Sequence, residues 1–228
     1  MSRNRTVLVI PDLQIPFHSK YSLTFLKQVR DKYKPDTVVC VGDEWDLCAL
    51  SRYPKDPDGL SAGDEHKRAK RASKAFYEAF PDVMVCESNH RQRLYKRAYE
   101  AGIPKDMIAS THEYMGAPKG WQWRFSWTVD GVVYEHGDRA SGAGTGTKLI
   151  DANHASTVYG HHHDCPGIVY TRKANKTMFA MNVGCLVDER TYAMNYTRMN
   201  KTRPVLSCGV VVDGVPFVIP MLKGLRNR

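Results

Sequence analysis

The 228-residue chain has no CxxC pair and no regular cysteine spacing, although it carries six cysteines. That disfavours a disulfide scaffold and fits a reducing cytoplasm. Cys40 and Cys86 lie inside apolar runs, where a thiol behaves as a small core residue. No apolar run exceeds strand length, so no membrane helix is expected. The opening Met1-Ser2-Arg3-Asn4-Arg5 lacks the apolar core of a signal peptide and leads into a strand. Internal repeats, linkers and low-complexity segments are missing, so residues 1–228 read as one domain. Acidic residues are in the minority: 33 Lys and Arg oppose 24 Asp and Glu, giving a net charge of +9. A basic chain favours an anionic partner such as nucleic acid or a phosphorylated substrate.

What is present is a set of polar clusters, each following an apolar run. Asp12-Leu13-Gln14 follows Val7–Ile10, and Gly42-Asp43-Glu44-Trp45-Asp46 follows Val38–Val41. Ser88-Asn89-His90 follows Val83–Cys86, and His136-Gly137-Asp138 follows Val132–Tyr134. Gly160-His161-His162-His163 follows Thr157–Tyr159. Short Val- and Ile-rich runs ending in turn residues read as buried strands. Ligands in layered α/β folds bind beyond the carboxyl ends of such strands. The Asp, Asn and His side chains are therefore expected at one sheet edge, as oxygen and imidazole donors for two divalent metals.

The first half reads β-α-β-α-β-α. Strands are predicted at 6–11, 37–41 and 82–87, with helices near 21–33, 64–80 and 91–101. This alternation implies a largely parallel sheet. The second half is richer in strands. Phe125–Val129 and Val132–His136 flank the hairpin signal Asp130-Gly131. Strands near 167–172 and 177–183 flank a turn, strands 206–212 and 215–219 flank Asp213-Gly214, and one helix is predicted at 145–154. The expectation is two sheets packed face to face with helices outside.

Two ions about 3.5–4 Å apart need a bridging carboxylate. Asp43 is the best candidate, because Gly42 before it permits a tight turn at a strand end. Asp12 and one histidine of 161–163 would complete one site. Asn89, His136 and another of those histidines would complete the second. In an extended segment, His161 and His163 point the same way while His162 turns aside.

The order D-x-x, G-D-x-x-D, N-H, H, G-H-x-H across residues 7–185 resembles the calcineurin-like metallophosphoesterases. Asn182-Val183-Gly184-Cys185 also resembles the turn that follows their last histidine motif. The resemblance implies a four-layer αββα sandwich. It implies a first metal on Asp12, Asp43 and His163, and a second on Asp43, Asn89, His136 and His161. It implies His90 as the acid that protonates the leaving group, with Asp46 orienting it and raising its pKa. It implies two divalent ions, with Mn²⁺ preferred and Mg²⁺, Ni²⁺, Fe or Zn²⁺ as alternatives. There are departures. Gln14 stands where the family has a ligating histidine, which weakens the first site and favours hard ions. Ser88 replaces a glycine. Arg91 replaces an acidic residue, and reads either as a cation for a substrate phosphate or as a surface arginine near a helix start.

Other features bear on the substrate. Lys67, Arg68, Lys70, Arg71 and Lys74 form a basic helix face, and Arg91, Arg93, Lys96 and Arg97 form a second. A solvated surface is the plainer reading, and a phosphate-backbone track the alternative. Arg139–Lys148 resembles a phosphate loop, but Thr147 occupies the second glycine position, so a mobile loop over the metals is expected instead. Trp121, Trp123, Phe125 and Trp127 alternate as one buried strand face or, alternatively, as a stacking platform. The expected activity is metal-dependent hydrolysis of a phosphodiester in DNA, RNA or a nucleotide. The rivals are a phosphomonoesterase and an inactive binding module of the same fold.

Overall fold

The computed structural model describes residues 5–191 and 202–222. Residues 1–4, 192–201 and 223–228 of the expected single domain lie outside the described residues. β1 (Thr6–Ile10), β2 (Thr37–Cys40), β3 (Val83–Cys86) and β4 (Trp121–Arg124) run parallel. The second sheet holds β5 (Trp127–Val129), β6 (Val132–Tyr134), β7 (Ser156–Tyr159), β8 (Gly167–Lys173) and β9 (Lys176–Asn182), in the order β5-β6-β7-β9-β8. The antiparallel hairpin of β10 (Ser207–Val212) and β11 (Val215–Pro220) returns to the first sheet, whose order is β11-β10-β1-β2-β3-β4. Both sheets are therefore mixed.

Strand alternation divides the core. Leu8, Ile10 and Cys40 face Phe25, Leu26 and Val29 of α1 (Ser22–Tyr33) and Phe76 and Tyr77 of α2 (Ala62–Ala79). Val7, Val9, Val39 and Val41 face the opposite way, onto Trp127, Val129, Tyr134 and Val158 of the second sheet. α3 (Gln92–Glu100) follows β3, and α4 (Thr111–Met115) precedes β4. Leu149 and Ile150 of α5 (Thr145–Asn153) cover the outer face of the second sheet beside Tyr159, Met178 and Ala180. This is the four-layer αββα sandwich that the motif order implies. Among the described residues, no helix is long and apolar enough to cross a membrane.

The tryptophan run departs from the single strand face expected of it. The chain leaves the first sheet after Arg124 and enters the second at Trp127, so Phe125 is 59% exposed at the crossing. Trp121 donates Nε1–H to the Phe80 carbonyl at 2.8 Å, and Trp127 donates to the Val85 carbonyl at 2.9 Å. Each indole thus pins a different layer. Period two is the same on both sides of a sheet change, so the pattern alone does not reveal one. α4 was also not expected. Its signal is the capping box Ser110-x-x-Glu113, which the structure shows closed in both directions.

Candidate metal centre

β1 delivers Asp12 and β2 delivers Asp43, and the two segments are stitched together just beyond the strands. The Gln14 amide donates to the Asp43 carbonyl at 2.8 Å, and Ile15 donates to Glu44 at 2.9 Å. Gly42 makes the approach to Asp43 with φ +103, and a Cβ there would sit 2.8 Å from Ser88 Cβ and 3.0 Å from the Cys86 carbonyl. Gly42→Ala is therefore expected to lower stability by at least about 1–3 kcal/mol from the backbone alone. Urea denaturation checks this, and a loss within about 0.5 kcal/mol would mean that the turn relaxes freely.

Asp43 is the hub. Its Oδ1 accepts from the His90 amide at 3.2 Å, and its Oδ2 lies 3.3 Å from His136 Nε2 and 3.6 Å from His90 Nε2. His136 donates Nδ1–H to the Val41 carbonyl at 3.0 Å and turns Nε2 towards Asn89 Oδ1 at 2.7 Å. His161 Nδ1 stands 3.2 Å from that same Nε2. Donor atoms of Asp43, His136 and His161 all lie within 4.8 Å of one another. Asp12 is fully buried and accepts at Oδ2 from His163 Nε2 at 2.9 Å and from the His161 amide at 3.0 Å. His162 turns away and meets the Ala140 carbonyl at 3.2 Å. The loop is not extended, since His161 has φ 66. A backbone turn, rather than strand alternation, separates the three imidazoles. Gln14 is buried at φ 49, held to Asp43 through backbone alone in the contacts above.

Asn182 supports this loop and was seen in the sequence only as part of a turn. Its amide donates to the His162 carbonyl at 2.8 Å and the Cys165 carbonyl at 3.0 Å, while its oxygen accepts from Gly184 N–H at 3.0 Å.

His90 sits differently from expectation. Its Nδ1 lies 3.5 Å from Asp46 Oδ1, long for a hydrogen bond, and has no hydrogen-bond partner among the described residues. Arg93 holds the carboxylate instead. Its NH1 donates to Asp46 Oδ1 at 2.9 Å and to the Asp46 carbonyl at 2.8 Å, and its NH2 reaches His90 Nε2 at 2.8 Å. Burial, with the Arg93 charge nearby, lowers the His90 pKa to about 3 against the pull of Asp43. Burial also pushes Asp46 up to about 7, although Arg93 opposes it. Asp46 thus faces His90 at long range, with Arg93 bridging the two, and burial rather than Asp46 dominates the imidazole pKa.

Arg91 is corrected as well. It is buried, with its guanidinium 5.3 Å from the Trp123 ring, paired with Glu87 and donating to Thr111 Oγ1. It is therefore not a surface arginine, and the guanidinium that reaches His90 belongs to Arg93. Arg97 is likewise committed, donating to the Leu50 carbonyl at 3.0 Å and the Ser51 carbonyl at 2.6 Å. Of the basic residues expected to form a track along α3, Lys96 is the one left exposed. The α2 face keeps Lys67, Arg68, Arg71 and Lys74 exposed.

The donor set fits divalent cations. Among the described residues Asp12 Oδ1 is buried without a hydrogen-bond partner, and a Cβ on Gly160 would come within 2.3 Å of it. Both ring nitrogens of His136 face carbonyl or carboxylate oxygens, so the ring carries two protons. Burial opposes that charge, but Asp43 beside it raises the His136 pKa to about 10. His163 is raised too, against burial, by its bond to Asp12. Burial disfavours charge on Asp43, yet His136 and His90 hold it well below the usual carboxylate range. Mn²⁺ uptake near neutral pH is expected to release about one proton per chain from His136, measurable with a pH indicator. Binding without proton release would place the ion elsewhere.

No protein-family model matches the chain, and no curated protein matches it. Similar solved structures include Vacuolar Protein Sorting 29 from Cryptosporidium parvum, 14% identical, with 94% of this chain and 95% of that chain covered and a TM-score of 0.46. Another is YfcE, a phosphoesterase from E. coli, 15% identical over 90% of this chain and 87% of that chain, with a TM-score of 0.35. A third is the Pseudomonas putida nuclease MPE, 10% identical over 94% of this chain and 86% of that chain, with a TM-score of 0.35.

Proposed function

We propose that this protein is a binuclear metal-dependent phosphoesterase that hydrolyses a phosphodiester. The observation that carries the reading is the meeting of Asp43, His136 and His161 donor atoms within 4.8 Å, with Asp12 and His163 paired 2.9 Å apart beside them. Asp12, Gln14, Asp43 and His163 would hold one ion, and Asp43, Asn89, His136 and His161 the other. Such a pair would polarise the phosphoryl group and lower the pKa of an attacking water.

The chain's own residues do the rest. The Val41 carbonyl orients the His136 ring through Nδ1–H, and the Asn182 amide fixes the histidine loop, so donors are positioned before any ligand arrives. His90 Nε2 and Arg93 NH2 stand side by side, 2.8 Å apart, and would face a leaving group and a non-bridging oxygen. An anionic phosphoryl group arriving there competes with the imidazole for Arg93. It also brings negative charge next to Nε2. Both effects raise the affinity of His90 for a proton and convert a neutral ring into an acid.

The test is a Mn²⁺-dependent assay of bis-p-nitrophenyl phosphate, p-nitrophenyl phosphate, and single- and double-stranded DNA. Faster hydrolysis of the diesters is expected. Preference for p-nitrophenyl phosphate would favour a phosphomonoesterase, and no turnover with metal bound would favour an inactive binding module. Gln14→His should tighten the first site, since imidazole is a better donor than an amide to late first-row ions. The left-handed backbone at residue 14 suits histidine adequately. Calorimetric titration should show tighter Zn²⁺ binding, and an unchanged isotherm would remove residue 14 from the ligand set.

A further inference from the structure

α3 walls a cleft of about 470 Å³ that the chemistry above leaves unused. Tyr95, Lys96 and Tyr99 line one side, and Arg52, Lys105 and Ile108 line the others. Arg91 and Gln92, the residues that follow His90, also line it, so the cleft begins within two residues of His90. Of the residues that line the cleft, Tyr99 is 85% exposed and Ile103 is 44% exposed. Large apolar side chains this exposed, gathered around one cleft, mark an interaction surface.

The charges indicate which ligand suits it. Both carboxylates of the cleft are already neutralised, Glu100 by Arg52 and Glu87 by Arg91. Among the described residues, no carboxylate pairs with Lys96 or Lys105, and Lys105 Nζ lies 6.0 Å from the Tyr95 ring centroid. The cleft is therefore net cationic through lysines. Its arginines are committed, so no free guanidinium fork remains for the bidentate grip that a phosphorylated peptide side chain favours. Lysine point charges interleaved with exposed tyrosines suit a polyanion with flat faces to stack.

We propose that this cleft binds a single-stranded polynucleotide. Bases stack on Tyr95 and Tyr99, Lys96 and Lys105 contact backbone phosphates, and the strand leads one phosphodiester towards His90. The proposal deepens the phosphodiesterase reading and rests on it for the direction of the strand.

The experiment is fluorescence anisotropy with the full-length protein, EDTA, and labelled oligothymidylate. It compares wild type with Tyr99→Ala and with the double variant Lys96→Ala/Lys105→Ala. Tyr99 and Lys96 are exposed, so folding should be retained, and circular dichroism checks it. Loss of one stacking partner should weaken binding about fivefold or more. Loss of two cations should flatten the slope of log affinity against log salt by about 1.4. Wild-type affinity in both variants would overturn the proposal. So would tighter binding of a DNA duplex or a phosphopeptide than of the single strand. Wild-type hydrolysis of bis-p-nitrophenyl phosphate with Mn²⁺ is measured separately. Its failure would sink the phosphodiesterase reading, while the EDTA binding series still decides whether the cleft holds a strand.

Discussion

Asp43→Asn is expected to lower phosphoester hydrolysis about 10³-fold or more with saturating Mn²⁺. The magnitude follows from the place of the residue. A carboxylate shared between two cations contributes to both, and a neutral amide in its place weakens both at once. The fold should tolerate the change. Asp43 has φ 47, and asparagine enters the left-handed region as readily as aspartate. The amide oxygen can still accept from the His90 backbone N–H. The substitution also removes the negative charge that raises the His136 pKa. His136 should then lose its proton at lower pH than in the wild-type protein, which NMR titration of the metal-free protein would resolve. Activity near wild type would end the two-metal reading. A lost activity with an unmoved His136 titration would mean that the variant had failed for another reason, such as a displaced loop.

The second large effect is at His90. His90→Asn should cut turnover of an ester with an alkoxide leaving group by about 10²–10⁴-fold, the usual contribution of general acid catalysis. The loss should be much smaller for a p-nitrophenolate ester, which leaves without a proton. Metal affinity should change little, because in the reading above His90 is not a ligand. Equal losses for both esters would remove His90 from proton transfer. The low pKa of His90 in the free protein makes a further demand. If the substrate phosphate supplies the charge that lets the ring take a proton, kcat and kcat/KM should show different alkaline limbs, where the acid loses its proton. The limb for kcat reports the complex and should lie at higher pH. Coincident limbs would mean that phosphate binding leaves the ring unperturbed.

Much of this was legible along the chain. Val7–Ile10 and Val38–Val41 are short, apolar and followed by turn residues, so they specify strands whose ends carry Asp12 and Asp43. Gly42 preceding Asp43 announces a backbone that no side chain tolerates well, and the structure gives it φ +103. Alternating strands and helices, then paired strands across Asp130-Gly131 and Asp213-Gly214, specify two mixed sheets with helices outside. Local patterns determine these because strand period, turn chemistry and burial act over a few residues.

Three features were decided only by tertiary structure. Trp121 to Trp127 keeps its period through a change of sheet, since alternation is a property of each strand and not of its neighbours. Arg91 and Arg93 are chemically alike and two residues apart, yet one is buried against Trp123 and Glu87 while the other spans Asp46 and His90. Which arginine faces the metal centre depends on where α3 begins and how it is rotated. Both are fixed by packing against residues 46–51, some 47 positions away in the chain. Finally, residue types alone suggested an acid at His90 and an ionised partner at Asp46. Burial dominates both groups, lowering His90 with help from Arg93 and raising Asp46 against Arg93, because a charge in a dry site responds to what surrounds it in space rather than to what adjoins it in sequence.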